Sequence, residues 1–104
     1  MSTHTTRRLL RRIDPGVLAR AAEIIKLLGH AERLKIVEVL ERREASVSEI
    51  RDAVGLPQAI VSQHLARLRG AHVVVARRDG VNVRYRVVEP KVHRILQCIR
   101  DCDC

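Results

Sequence analysis

The segment at residues 46–87 constrains the fold of this chain most, because two short helical patterns meet there and a β-strand pattern follows. Gly55 comes after the first helical pattern and suits the left-handed residue that ends a helix. Pro57 suits the first turn of the next helix, where the N–H that proline lacks would have no partner. The sequence therefore predicts two helices joined at a sharp corner.

The second helix of this pair, expected at residues 57–69, has two distinct faces. Val61, Leu65 and Leu68 follow the i, i+4, i+7 spacing of an inward apolar stripe. The outward face then carries Ala59, Ser62, Gln63 and Ala66. Small residues beside a glutamine suit a helix that lies close against the base edges of a duplex.

A β-hairpin is predicted directly after this helix. Residues 73–77 are mainly β-branched, and at residues 81–87 valine or tyrosine alternates with Asn82, Arg84 and Arg86. Asp79 and Gly80, between the two runs, form a favoured two-residue turn. One face of the hairpin is expected to be apolar and the other cationic, so the segment as a whole predicts a winged helix-turn-helix.

Helical patterns also precede and follow this segment. The first predicted helix begins at Asp14 and Pro15 and ends at Gly29, the second covers residues 31–42, and the last begins at Pro90. Ser46 and Glu49 predict a capping box at the start of the third helix. The expected apolar positions are Val17, Ala21, Ile24 and Leu28 in the first helix; either Leu34, Val37 and Leu40 or Ile36 and Val39 in the second; and Val92, Ile95, Leu96 and Ile99 in the last.

Composition points to a polyanionic partner. The 104 residues have a formal charge of +8 and a pI near 10.7, for which DNA is the simplest partner, although charge alone does not separate DNA from RNA or anionic lipid. Aromatic residues are only 1 % of the chain, the single Tyr85, which argues against proteins that stack single-stranded bases on aromatic rings.

The ends of the chain bear on compartment and domain organisation. No stretch approaches the ~18 apolar residues of a membrane span, and the polar N-terminus lacks the apolar core of a signal peptide. A cytoplasmic protein with reduced thiols and no membrane partner is therefore expected. We predict a mobile basic arm at residues 1–13 and one DNA-binding and dimerisation domain at residues 14–104. The arginines of the arm are Arg7, Arg8, Arg11 and Arg12.

The predicted order of four helices, two strands and one helix resembles the ArsR/SmtB family of bacterial repressors over about residues 15–100. The motifs that carry the resemblance are residues 28–33, residues 46–56, the run Val61-Ser62-Gln63-His64-Leu65 and the hairpin at 77–85. The resemblance implies that the first and last helices pair across a two-fold axis, that the fourth helix reads the major groove and that the wing lies on the DNA backbone. It also implies a dimeric repressor that a metal, a metalloid or an oxidant releases from its operator.

Several positions depart from the family pattern. His30 stands where an aspartate commonly caps the second helix, Arg51 where a small residue is usual and Pro57 where a serine is frequent. The third helix lacks the Cys-x-Cys of the arsenic and cadmium branches, and the second helix lacks the cysteine of the sulfur-responsive branch. The last helix starts Glu89-Pro90-Lys91 and does not match the zinc branch. The usual sensor sites of the family are therefore absent.

Three cysteines, Cys98, Cys102 and Cys104, crowd the last seven residues. Cys98 and Cys102 lie one helical turn apart, and three sulfur ligands suit As(III) or Sb(III) better than Cd(II) or Zn(II). His93 lies about 140° from Cys98 around the helix and joins no chelate within one chain. The other interpretations are that Cys98 only borders a dimer interface, or that the thiols respond to oxidants or sulfur species.

The remaining candidates are predicted to contact duplex DNA. Gln63 is expected to pair with adenine, Arg67 to reach a phosphate, and the hairpin arginines to supply wing charges, whereas His64 is as well explained by packing or a phosphate contact as by base reading. An enzyme is not expected, because His93 and Cys98 face apart, no carboxylate pair sits in a recognisable pocket and no glycine-rich phosphate loop appears. The predicted DNA-contacting residues are Gln58, Ala59, Ser62, Gln63, His64, Arg67, Arg77, Arg78 and Arg84, and Arg86 is expected to add a further positive charge to the wing.

The sequence thus predicts a homodimeric repressor that binds an inverted-repeat operator through the fourth helix and the wing. No cofactor is required for DNA binding, and a thiophilic metalloid or metal at the C-terminal cysteines is the expected inducer. The alternatives are a repressor that senses thiol redox state or sulfur species, and a constitutive repressor with no inducer.

Overall fold

A computed structural model of the chain describes residues 12–102. Arg7, Arg8 and Arg11 of the predicted arm, and Cys104, lie outside the described residues. The described range folds into helices α1 (Pro15–Leu28), α2 (Ala31–Arg42), α3 (Val47–Val54), α4 (Gln58–Gly70) and α5 (Pro90–Cys102), and strands β1 (Ala45–Ser46), β2 (Val74–Asp79) and β3 (Asn82–Val87). This order confirms a mainly helical fold with a hairpin wing.

Local capping signals define the helix starts, as the sequence predicts. The Asp14 carboxylate accepts hydrogen bonds from the N–H groups of Gly16 and Val17 at 2.9 and 3.3 Å. Ser46 and Glu49 form the predicted capping box at the start of α3. Each cap satisfies N–H groups that have no partner inside the helix, so these starts depend only on neighbours in sequence.

The C-terminus of α4 has a left-handed residue that is not glycine. His72 has a φ of +60°. Its N–H donates to the Arg69 carbonyl at 3.0 Å, and the N–H of Val73 donates to the Leu68 carbonyl at 2.9 Å. These two hydrogen bonds are those of a Schellman motif, and Leu68 and Val73 are both fully buried. The motif holds a histidine in a conformation that normally favours glycine.

The sheet has three antiparallel strands in the order β1-β3-β2. The short β1 is a strand that the sequence pattern missed: Ala45 pairs with Tyr85 and Ser46 with Arg84. Two residues are too few to show an alternating pattern, and only the pairing with β3 makes them a strand. The hairpin turn is also one residue later than predicted, because Asp79 pairs with Asn82 and leaves Gly80, with a φ of +63°, as the first of the two turn residues.

The core lies between the helices and the base of the hairpin. α2 contributes Ile36, Val37 and Leu40, which combine positions from both of its predicted apolar faces. In α1, Ile24 and Leu28 are buried, but Val17 is 50 % exposed, so only part of the predicted stripe lies in the core of one chain. In α5, Val92 and Leu96 are buried and Ile99 is exposed. None of the described helices is long and apolar enough to cross a membrane.

Candidate nucleic-acid interface

The outward face of α4 has the composition that the sequence predicts. Gly55, with a φ of +72°, ends α3 and turns the chain sharply toward α4. Val61, Leu65 and Leu68 bury the inner face of α4 in the core. The opposite face exposes Ala59, Ser62, Gln63 and Ala66 together. Three of these side chains are small or short, so a groove of DNA would have close access to this part of the helix.

Gln58 connects the two helices of the motif. Its Oε1 accepts a hydrogen bond from a guanidinium NH of Arg51 at 3.0 Å, and the same guanidinium pairs with Asp52 at 3.2 Å through its Nε. Arg51 thus takes up a position where the family commonly has a small residue and uses it to tie α3 to the first turn of α4. The predicted DNA contact by Gln58 would compete with this hydrogen bond.

Arg67 extends the exposed face of α4 with a positive charge. It is exposed and lies one helical turn after Gln63. Together with Lys26 and Arg33 it lines an open cavity between α4 and the first two helices, where Glu23 is the acidic lining residue. The excess of positive charge favours an anion such as a DNA phosphate on this side of the helix.

Two of the predicted wing arginines lie directly opposite each other in the hairpin. Arg77 pairs in register with Arg84, and like charges in such a pair repel. Glu44 forms a bidentate ion pair with Arg77, with its closest N–O distance at 2.7 Å, and Glu49 lies 3.2 Å from Arg84. The Arg77 hydrogen bond lowers the pKa of Glu44, so this carboxylate stays charged beside the wing. Both arginines are therefore engaged inside the chain.

Arg78 and Arg86 are the wing arginines with exposed side chains and no ion pair to another residue within 12–102. Their positions in register place them on opposite faces of the hairpin, because Arg78 faces Val83 and Arg86 faces Val75. The prediction of a single cationic face is thus only partly right. Arg86 shares a face with Arg77 and Arg84, whereas Arg78 extends from the other face near the tip.

His64 corrects one of the site predictions. The residue is only 7 % exposed, and its side chain points into the molecule rather than outward. Its Nδ1 accepts a hydrogen bond from Arg33 Nε at 3.2 Å, and its Nε2 lies 3.0 Å from Glu32 Oε1. Both ring nitrogens are engaged, so His64 does not reach a base edge or a phosphate in this arrangement. The hydrogen bond with His64 lowers the pKa of Glu32.

The burial of His64 has a signal in the sequence. With Val61, Leu65 and Leu68 it completes the i, i+3, i+4, i+7 pattern of an inward face. The sequence gives no comparable signal for the hydrogen-bond partners of His64, because Glu32 and Arg33 are more than thirty positions away along the chain. We refer to His30, Glu32 and His64 as the α2–α4 cluster.

Cys98 and Cys102 lie together on α5, as predicted. Both thiols are free and exposed, and they lie one helical turn apart on α5. The charge of the neighbouring Cys102, then the hydrogen bond to it, burial and Asp101 all raise the pKa of Cys98. Cys98 therefore favours the protonated thiol. It also lines an apolar cavity between α1 and α5 with Ile25, Leu28, Gly29, Leu34, Ile95 and Ile99.

These features define a winged helix-turn-helix DNA-binding protein. A family model described as "Bacterial regulatory protein, arsR family" matches residues 30–75. Among curated proteins, the HTH-type transcriptional regulator KmtR of Mycobacterium tuberculosis is 40 % identical over 74 residues, which is 71 % of this chain and 57 % of KmtR. The transcriptional repressor PagR of Bacillus anthracis is 39 % identical over 79 residues, 75 % of this chain and 79 % of PagR.

A solved structure supports the same assignment. The transcriptional repressor BigR from Xylella fastidiosa superimposes with a TM-score of 0.80 at 27 % identity, covering 100 % of this chain and 98 % of BigR. The chain belongs to the ArsR family of bacterial regulatory proteins, which are DNA-binding transcriptional regulators and not enzymes.

Proposed function

We propose that this protein is a homodimeric transcriptional repressor that binds an inverted-repeat operator through α4 and the hairpin wing. The observation that carries the proposal is the exposed face formed by Ala59, Ser62, Gln63 and Ala66, opposite a fully buried apolar stripe. A helix with this face enters the major groove, where Gln63 can pair with adenine and the small residues allow close approach.

The phosphate contacts are expected from arginines that the fold leaves available. Arg67 flanks Gln63 on α4, and Arg78 and Arg86 extend from the wing. Arg77 and Arg84 contribute less in this arrangement, because each must leave a glutamate before it meets a phosphate. The proposal therefore places direct readout on α4 and nonspecific affinity on Arg67, Arg78 and Arg86.

Unburied apolar side chains on α1 and α5 support a dimer. Ile25 is 61 % exposed and Ile99 is 49 % exposed, and both line the cavity between these helices. Ile13, Val17 and Leu18 add further exposed apolar surface at the N-terminal part of the described chain. If a second copy covered these residues, a two-fold axis would relate the two α4 helices. The operator would then be an inverted repeat.

For the inducer, we propose As(III) bound by Cys98, Cys102 and Cys104. The support is the spacing of Cys98 and Cys102, one helical turn apart on α5, and within residues 12–102 neither cysteine belongs to a group of three potential histidine, cysteine or carboxylate ligands. Arsenous acid condenses with three protonated thiols to form three As–S bonds and three water molecules. The thiol protons leave with the arsenic hydroxyls as water, so the raised pKa of Cys98 does not prevent this reaction. Closing the chelate next to Ile99 would act on the proposed dimer seam.

Operator binding tests both parts of the proposal. A duplex selected from random DNA is titrated with the wild type and with a Cys98→Ser/Cys102→Ser variant. Arsenite, antimonite, Cd(II), Zn(II) and a persulfide or peroxide are then added to each complex. Arsenite should release the wild type and not the variant. Release only by persulfide or peroxide indicates a redox or sulfur sensor, and no release by any agent indicates a constitutive repressor. Failure to select any duplex would refute the DNA-binding function itself.

A further inference from the structure

The α2–α4 cluster brings together three side chains that bind metals in other proteins. His30 precedes the first residue of α2, Glu32 lies in the first turn of that helix and His64 lies in the middle of α4. One potential ligand atom from each of the three side chains lies within 4.8 Å of the other two. The His64 Nε2 and Glu32 Oε1 atoms are already 3.0 Å apart, and the two imidazole rings lie edge to face with centroids 4.8 Å apart.

We propose that His30, Glu32 and His64 bind one divalent transition-metal ion, with Zn(II) as the favoured occupant. Ligand atoms at about 2.0–2.1 Å from a tetrahedral zinc lie roughly 3.3 Å from one another. The 3.0 Å pair in the cluster is close to that separation, and no pair is more than 4.8 Å apart, so none needs to shorten by more than about 1.5 Å. His30 is exposed, so its side chain has room to rotate toward the other two ligands.

The ligand types select the class of metal. Two imidazoles and one carboxylate suit Zn(II), Co(II) or Ni(II), whereas Mg(II) and Ca(II) prefer oxygen ligands and As(III) prefers thiolates. This site is therefore chemically distinct from Cys98 and Cys102. His64 is buried while His30 is exposed, so an ion can enter from solvent and keep a water molecule as its fourth ligand.

Metal binding would replace hydrogen bonds that the side chains of the α2–α4 cluster now make. His64 accepts from Arg33 through Nδ1, so its proton is on Nε2. A metal on Nε2 requires the proton on Nδ1, and the Arg33 hydrogen bond must then break. His30 accepts from the Glu32 N–H through Nδ1, and that bond is lost whichever of its nitrogens binds the metal. Metal binding would thus break the hydrogen bond between Arg33 Nε and His64. Glu32 would remain joined to α4 through the metal.

The test uses the full chain with Cys98, Cys102 and Cys104 changed to serine, so that no thiol binds the probe. Co(II) and Zn(II) are titrated into this protein, with visible absorption and calorimetry as readouts. We expect one ion per chain and d–d absorption bands without sulfur charge-transfer bands. In NMR spectra of the Zn(II) titration, the ring protons of His30 and His64 should shift, and those of His72 and His93 should not.

Two conservative variants in the same background remove one ligand each. His30→Asn keeps a side-chain acceptor at the start of α2, and Glu32→Gln keeps an acceptor for His64, so both should fold. Each should weaken Zn(II) binding by about tenfold or more, by analogy with losses measured at other metal sites. His72→Asn is the matched control, because it removes an imidazole elsewhere and asparagine tolerates a positive φ.

Three results would overturn the proposal. One is no binding of either ion to the cysteine-free chain at millimolar concentration. Another is binding that His30→Asn and Glu32→Gln leave unchanged while circular dichroism shows a native fold. The last is a Zn(II) titration that shifts the ring protons of other histidines but not those of His30 and His64. None of these measurements involves DNA, so they are independent of the proposed repressor function.

Discussion

Arg77 and Arg84 lie directly opposite each other in the hairpin wing, and each is paired with a different glutamate from outside the hairpin. Glu44 precedes β1 and Glu49 lies in the first turn of α3. The pairs attach the wing to the start of the helix-turn-helix and offset the repulsion between the two arginines. They also engage two guanidinium groups that would otherwise be available to a phosphate backbone.

Glu44→Gln should increase the affinity of the protein for any DNA duplex. The substitution releases Arg77, so one more cation becomes available and the salt dependence of binding should steepen by up to about one unit of slope. Fluorescence anisotropy on two unrelated duplexes over a range of salt concentrations measures this. Glu38→Gln removes the same charge from an exposed position on α2 and should change the slope less. Equal slopes for the two variants would show that Arg77 takes no part in DNA binding.

Gln63→Ala and Arg78→Ala should have different effects on operator binding. Loss of the glutamine should cost about 1–3 kcal/mol of discrimination at one base position, because only a base contact is removed. Loss of Arg78 should weaken binding to all sequences alike and reduce the salt slope. Competition with operators mutated at each position distinguishes the two patterns. Uniform loss from both variants would mean that α4 does not read bases.

His72→Gly should stabilise the fold. The left-handed conformation costs a non-glycine residue about 1–2 kcal/mol, which glycine avoids. Glycine also has a greater chain entropy in the unfolded state, and this offsets roughly half of the gain in stability. A net gain of about 0.5–1 kcal/mol should raise the melting temperature by a few degrees. Gly55→Ala makes the opposite change at the other left-handed helix end and should lower it. A lower melting temperature for His72→Gly would show that the histidine side chain makes a stabilising contact.

Dimerisation through α1 and α5 predicts that Ile25→Asp or Ile99→Asp yields a monomer. Either change puts a charge into apolar surface that the second copy would bury. Sedimentation equilibrium at micromolar concentration gives the mass directly. Val81→Asp is the matched control, since Val81 is 99 % exposed at the wing tip and should leave the dimer intact. A wild type that sediments as a monomer would contradict the two-fold operator model.

Glu41 links α5 to α2 and should make stability depend on pH. Its carboxylate accepts from Arg100 at 2.6 Å and contacts His93 Nδ1, also at 2.6 Å. The Arg100 hydrogen bond is the main cause of a lowered pKa, relative to an ordinary value of 4.5. A carboxyl with a lowered folded pKa stabilises the fold above its unfolded pKa, and this stability is lost as the pH falls through the folded value.

Glu41→Gln should therefore be less stable than the wild type at pH 7, and the difference should shrink below about pH 4.5. Urea unfolding at a series of pH values between 7 and 3 measures the difference. Arg100→Gln removes the main hydrogen-bond donor to Glu41, so the pKa of Glu41 should be lowered less. The pH range over which Glu41 changes the stability of the fold should then become narrower. A difference between wild type and Glu41→Gln that stays constant down to pH 3 would contradict the ion pair.

Features that depend on near neighbours in sequence were predictable. The Asp14 cap, the Ser46 and Glu49 capping box and the Gly55 turn involve residues a few positions apart, and all three are confirmed. The exposed face of α4 follows from helical periodicity once the buried stripe is known. The family, too, was recognisable from such motifs, because they are short and contiguous.

Features that depend on distant pairing needed the tertiary structure. Only packing of α4 against the start of α2 brings His64 to Glu32, and only pairing with β3 makes Ala45 and Ser46 a strand. Arg77 looked like a free wing cation until the fold placed Glu44 beside it. The sequence by itself determined where helices begin, turn and expose polar faces, since these features depend on residues within one or two helical turns of each other. The tertiary structure decided which charges are free and which side chains meet, because those contacts join segments that are far apart in the sequence and share no periodic pattern.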